Sequence, residues 1–141
     1  MNPRVYLSSF LAVVIAYLAS PFSSVADLIG ESQSAVNPER ITVGAQVYPA
    51  QLVNLKRRGF SVIINNRLEG EEETQPAIRD LQLEAESLGL DFYHIPVSPL
   101  RITQENIDAL VSALASTSGP VFAFCRSGTR SNKLKNSLRE L

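Results

Sequence analysis

From Ile41 onward, short apolar runs alternate with amphipathic stretches of helical length, and this alternation constrains the fold more than any other feature. The runs are too short for buried helices, and their continuous apolar character suits strands covered on both faces of a parallel sheet. "ITVGAQV", "FSVII", "DFYHIPV" and "PVFAF" are therefore read as successive strands. The stretch "PAQLVNLKRRG" reads as a helix, with Pro49 in its first turn, Leu52 and Leu55 on one face and Gly59 as its stop. In "TQPAIRDLQLEAESLG", Thr74 is the expected cap, while Ile78, Leu81, Ala85 and Leu88 share a face. "TQENIDALVSALAS" spaces Ile107, Leu110, Val111 and Leu114 in the same way, and "RSNKLKNSLREL" closes the chain with Leu134, Leu138 and Leu141. The predicted order is βαβαβαβα: an α/β, three-layer domain with a mainly parallel sheet.

The chain of 141 residues divides into three segments on this reading. Residues 1–26 carry Arg4, an apolar stretch from Val5 to Ala19, and the small residues Ser24 and Ala26 before Asp27. That is the pattern of a cleaved secretory signal peptide, which predicts a periplasmic or secreted domain. An uncleaved, outward-facing membrane anchor is the rival, since no charge falls between Arg4 and Asp27. Residues 27–39 read as a polar tether and 40–141 as the folded domain. Net charge is −1, so no electrostatic footprint for nucleic acid exists, and a membrane is a partner only if the leader stays uncleaved.

Open parallel α/β sheets bind ligands at the carboxyl ends of their strands, which directs attention to the loops at 65–75, 98–103 and 125–130. The last of these holds the single cysteine of the chain, in "FCRSGTRS". Cys125 follows a strand and precedes a helix N-terminus, with Arg126 and Arg130 close by in sequence. Both features favour a thiolate, the reactive form of cysteine. Gly128 permits a tight turn that would aim successive N–H groups inward, and Ser127, Thr129 and Ser131 add hydroxyl donors. Arg126 and Arg130 are candidate forks for an oxyanion, Arg130 being placed with Cys125 in the catalytic pair. The pattern suits a nucleophile that attacks, or carries, an anionic group.

The segments "VGAQV", "VIINNRLEGEE", "YHIPVSP" and "CRSGTRS", in that order, resemble the phosphatase-like domain family that accompanies beta-lactamase-like hydrolases in bacteria. The resemblance spans about residues 40–135. It implies a fold similar to dual-specificity phosphatases, some members being described as sulfur transferases. The cysteine loop itself is similar to that of rhodanese-type sulfurtransferases, because Arg130 follows Cys125 after four residues rather than the five of phosphatases, which leaves Ser131 at the phosphatase arginine's place. Phe124 stands where phosphatases have His, and "PVSPLRIT" lacks the aspartate that would protonate a leaving alcohol. These departures point to a sulfurtransferase that forms a persulfide on Cys125, with a small anionic sulfur donor and a thiol acceptor as partners. A phosphoester hydrolase using the same Cys125 is the alternative, and a non-catalytic oxyanion- or sulfur-binding module the third.

Other residues near the same edge carry weaker expectations. Arg67 is a candidate substrate contact, balanced against a turn role for the Asn65-Asn66-Arg67 segment. Arg101 is a lesser candidate of the same kind. His94, the sole histidine, reads as a structural bond to loop backbone. Glu69, Glu71, Glu72 and Glu73 read as a solvated loop, and no metal or cofactor motif accompanies them.

Overall fold

The computed structural model describes residues 36–141. The predicted signal peptide, and the tether up to residue 35, lie outside the described residues. Four parallel strands make the sheet: β1 (Ile41–Gly44), β2 (Val62–Asn65), β3 (Asp91–His94) and β4 (Val121–Phe124), in the order β1-β4-β2-β3. The helices are α1 (Pro49–Arg57), α2 (Ile78–Ser87), α3 (Gln104–Ala115) and α4 (Thr129–Ser137).

This order determines which helix covers which face. The chain moves in one direction across the sheet from β1 to β2 to β3, then reverses to place β4 between β1 and β2. Right-handed crossovers therefore put α1 and α2 on one face and α3 on the other. The packing agrees. Leu52, Leu55, Leu81 and Ala85 meet Ile63, Phe122 and Phe124 on one side. Leu110, Leu114 and Leu134 meet Val62, Ile64, Val121 and Ala123 on the other. Consecutive residues of β2 and β4 thus serve opposite cores, which explains their unbroken apolar runs. The result is the expected three-layer α/β fold.

The elements are trimmed relative to the sequence reading. β1 stops at Gly44, where a side chain would collide with the Phe122 ring: a Cβ there would sit 2.3 Å from Cζ. α2 begins at Ile78 rather than near Thr74. Pro76 disfavours helical backbone at Gln75, and the Gln75 side chain instead binds the loop before it, through Glu71 N–H and the Leu68 carbonyl. The end of the presumed tether is also structured. Asn37 caps a short 3-10 turn at Pro38–Arg40, and Arg40 donates to the carbonyls of Leu114 in the last turn of α3 and of Thr117 and Gly119 after it.

The reversal beside β4 opens a crevice at its carboxyl end, flanked by the loops that leave β1 and β2. Asn66 N–H donates to the Phe124 carbonyl across one side, and Gln46 N–H donates to the Arg126 carbonyl across the other. A loop after β4 is therefore held from both flanks.

Candidate active site

Cys125 is the first residue beyond β4 and is almost wholly buried, at 1% exposure. The chain then turns sharply through Gly128, whose φ of +92° is the left-handed conformation glycine tolerates. A Cβ at Gly128 would also press to 3.1 Å from the Gly44 carbonyl oxygen, so both conformation and space call for glycine. The turn delivers Gly128 N–H to Cys125 Sγ at 3.1 Å and starts α4 at the next residue. Burial pushes the thiol up. The N–H groups of Ser131, Arg130, Ser127 and Gly128 outweigh it, and the net pKa falls below the ordinary 9.0. The anion nest expected from the sequence is thus built from backbone around the sulfur.

A cavity of about 480 Å3 opens over the loop, with Cys125, Arg126 and Arg130 in its lining together with Leu68, Pro99 and Lys133. Ser127 and Thr129 also line it, their hydroxyls 3.0 Å apart. Arg130 leans on Glu71 through two bonds, Nη1 to Oε1 at 2.5 Å and Nη2 to Oε2 at 2.8 Å, and Nη1 also donates to the Val97 carbonyl at 3.0 Å. The hydrogen bonds to Glu71 raise its pKa most, burial opposes them, and the Cys125 thiolate adds both charge and a hydrogen bond. Arg130 and Cys125 therefore line one cavity, with only four residues between them in sequence.

The acidic loop is not simply solvated. Glu71 is 15% exposed and binds Arg67 Nε at 2.9 Å as well as Arg130. Its carboxyl is held down at about 2, chiefly by the bond from Arg130; burial opposes this, and Leu68 N–H and Arg67 assist. Glu72 continues the series, pairing with Arg67 Nη2 at 3.2 Å and Arg126 Nε at 2.8 Å. Arg126, Glu72, Arg67, Glu71 and Arg130 thus form one series of alternating sign, of which Arg126, Glu71 and Arg130 line the cavity. Glu69 has a separate task, accepting from Ile78 N–H at the unfilled start of α2.

Two sequence-predicted contacts need correction. Arg67 is 1% exposed, and its guanidinium is committed to Glu71, Glu72 and Gln46 Oε1. A buried cation requires such partners, so its side chain supports the acidic loop and is not part of the cavity lining. Ser131 is equally buried, its hydroxyl donating to Asn66 Oδ1 at 2.7 Å; its contribution to the nest is its N–H, not its side chain. His94 has the expected structural bond, Nε2 lying 2.8 Å from the Arg67 carbonyl. Lys133 and Glu71 are the residues that sequence reasoning missed. Lys133 sits one helical turn after Arg130, a spacing that could have placed it over the loop.

The model of the phosphatase-like domain of beta-lactamase hydrolase-like proteins matches residues 34–138. The chain belongs to this family. A beta-lactamase hydrolase-like protein of Agrobacterium fabrum is 41% identical over 92 residues, covering 65% of the chain and 21% of the relative. Its counterpart in Xylella fastidiosa is 39% identical with the same coverage, so the chain spans about a fifth of the length of the curated relatives it matches. Among solved structures, a candidate phosphatase of Neisseria meningitidis superposes with a TM-score of 0.64 at 29% identity, covering 70% of each chain. A Shewanella putrefaciens structure matches at a TM-score of 0.62 and 19% identity, over 71% of this chain and 62% of that one, a likeness of fold. The phosphatase-like domain is thus the frame in which the Cys125 loop sits. The comparisons lend no support to a rhodanese-type loop or to sulfur transfer.

Proposed function

We propose that this domain is a cysteine-dependent phosphoester hydrolase with Cys125 as nucleophile. The observation that carries the reading is one cavity lined by both Cys125, its sulfur cradled by Gly128 N–H, and Arg130, gripped bidentately by Glu71. A nucleophile of lowered pKa, a ring of N–H groups and a fixed guanidinium together suit a phosphoryl group whose three equatorial oxygens carry the charge as it passes in line from the leaving oxygen to sulfur. The phosphatase description of the Neisseria neighbour supports the same choice.

In the first step, Cys125 Sγ attacks phosphorus, the P–O bond to the leaving group breaks, and that oxygen departs with the electron pair. In the second, a water oxygen attacks the phosphocysteine, the S–P bond breaks, and inorganic phosphate leaves with the thiolate restored. Glu71 is the carboxyl group in the cavity lining, and with a pKa of about 2 it has no proton to give near neutrality. The leaving oxygen must take its proton from solvent, which favours substrates whose leaving group is stable as an anion.

The test is release of phosphate from para-nitrophenyl phosphate by the wild-type domain and by Cys125→Ser, with a thiosulfate and cyanide arm in parallel. Phosphate release that disappears in the variant supports hydrolysis. Thiocyanate formation without phosphate release would return the loop to sulfur chemistry.

A further inference from the structure

We propose that the cleft beside the Cys125 cavity is a subsite for a second anionic group, so that the domain selects phosphomonoesters whose organic part carries a carboxylate. This inference rests on the phosphoester-hydrolase reading and adds a substrate class to it. A second hollow of about 30 Å3 adjoins the first cavity and shares Pro99, Arg130 and Lys133 with it; its far wall is the loop bearing Leu100, Arg101 and Ile102. One water requires roughly 10–15 Å3, so the hollow admits a group with the two oxygens of a carboxylate and is cramped for a second tetrahedral phosphate.

The charges of the two hollows point the same way. The chain as a whole carries −1, yet the charged side chains lining them are Arg101, Arg126, Arg130 and Lys133 against the single acid Glu71. Glu71 is committed to Arg130 and Arg67, and Arg126 is paired with Glu72. Lys133 and Arg101 have no ion pair among the described residues. Glu105 of α3 feels the charge of Arg101, but its carboxyl is lowered first by the hydrogen bond from Thr103 and last by that arginine. Two cations without a salt bridge therefore border a hollow that opens next to the nucleophile.

Distance and apolar surface complete the match. Lys133 follows Arg130 by three residues on α4, which separates their Cβ atoms by about 5–6 Å. A carboxylate near Lys133 would thus lie about one helical turn from a phosphoryl group held at Arg130. Between and beside them, Leu68 and Pro99 line the main cavity, and Leu100 stands at 93% exposure on the rim of the second. An aromatic or aliphatic body would bridge the two anionic ends against that surface.

The experiment compares kcat/KM for meta- and para-carboxyphenyl phosphate with the neutral carbamoylphenyl phosphates, which match them closely in shape. Wild-type protein, Lys133→Gln, Lys133→Glu and Arg101→Gln are measured at low and high salt. Wild type should prefer the carboxylated substrate about fivefold at low salt, the size expected of one partly exposed ion pair. The preference should fall toward unity in Lys133→Gln, Arg101→Gln and high salt, and reverse in Lys133→Glu. Equal rates for the two substrate classes in wild type, or a preference untouched by Lys133→Glu, overturn the subsite and leave the hydrolase reading standing. Failure of folded wild-type protein to release phosphate from any of them overturns the hydrolase reading and the subsite with it.

Discussion

Replacing Glu71 by glutamine removes a charge from the centre of the arginine–carboxylate series while keeping the side chain's shape. The folded carboxyl has a pKa of about 2 against an ordinary 4.5, with the Arg130 bond as the largest cause. At about 1.36 kcal/mol per pH unit, the difference between those values corresponds to about 3 kcal/mol of stability. The folded pKa is the lower one, so this stabilisation is complete above the unfolded value of 4.5 and is lost as pH falls through the folded value near 2. At pH 3 only about one of those pH units has accumulated, leaving about 1.4 kcal/mol. Urea unfolding of wild type and Glu71→Gln should therefore differ by about 3 kcal/mol at pH 7 and by less than half of that at pH 3. A difference that stays the same at both pH values would refute the reasoning.

Further predictions follow from the loop itself. The lowered Cys125 pKa means that the pH midpoint for alkylation by iodoacetamide should lie lower in folded protein than in the urea-unfolded chain, whatever the buried thiol's absolute rate; coincident midpoints would count against the backbone nest. Gly128→Ala forces a left-handed residue to carry a Cβ 3.1 Å from the Gly44 oxygen, so it should lose about 1–2 kcal/mol in urea unfolding and shift the alkylation profile to higher pH. Arg130→Lys retains charge but cannot reproduce the two-pronged grip on Glu71, and kcat for phosphate release should fall by about 100-fold or more. A near-wild-type rate in that variant would show that a point charge suffices.

The parts of the fold that local pattern controls were legible in the sequence. Val62 to Ile64 and Val121 to Phe124 are apolar at every position because both faces are covered, and that run length announced a parallel sheet. Thr103 and Asn106 form the capping box that starts α3 where the spacing placed it. Cys125, Gly128 and their neighbours were legible because a strand end, a glycine and a helix start are adjacent in the chain. Glu71 was not. It meets Arg130 across 59 residues, and no local rule tells a carboxylate clamp from a solvated acidic loop. The four-residue spacing from Cys125 to Arg130 does not decide the chemistry for a related reason. Counting residues says where a Cα lies along the loop, while the side chain's reach depends on the turn of α4 and on what Glu71 holds in place.

In the proposed hydrolysis, Cys125 becomes phosphorylated during turnover. The most direct measurement is mass spectrometry of the domain quenched in acid during hydrolysis of para-nitrophenyl phosphate. The quenched wild-type domain should gain the mass of one phosphoryl group, localised to the Cys125 peptide and missing from Cys125→Ser. An unmodified Cys125 during rapid phosphate release, or a phosphoryl group on another residue, would contradict it.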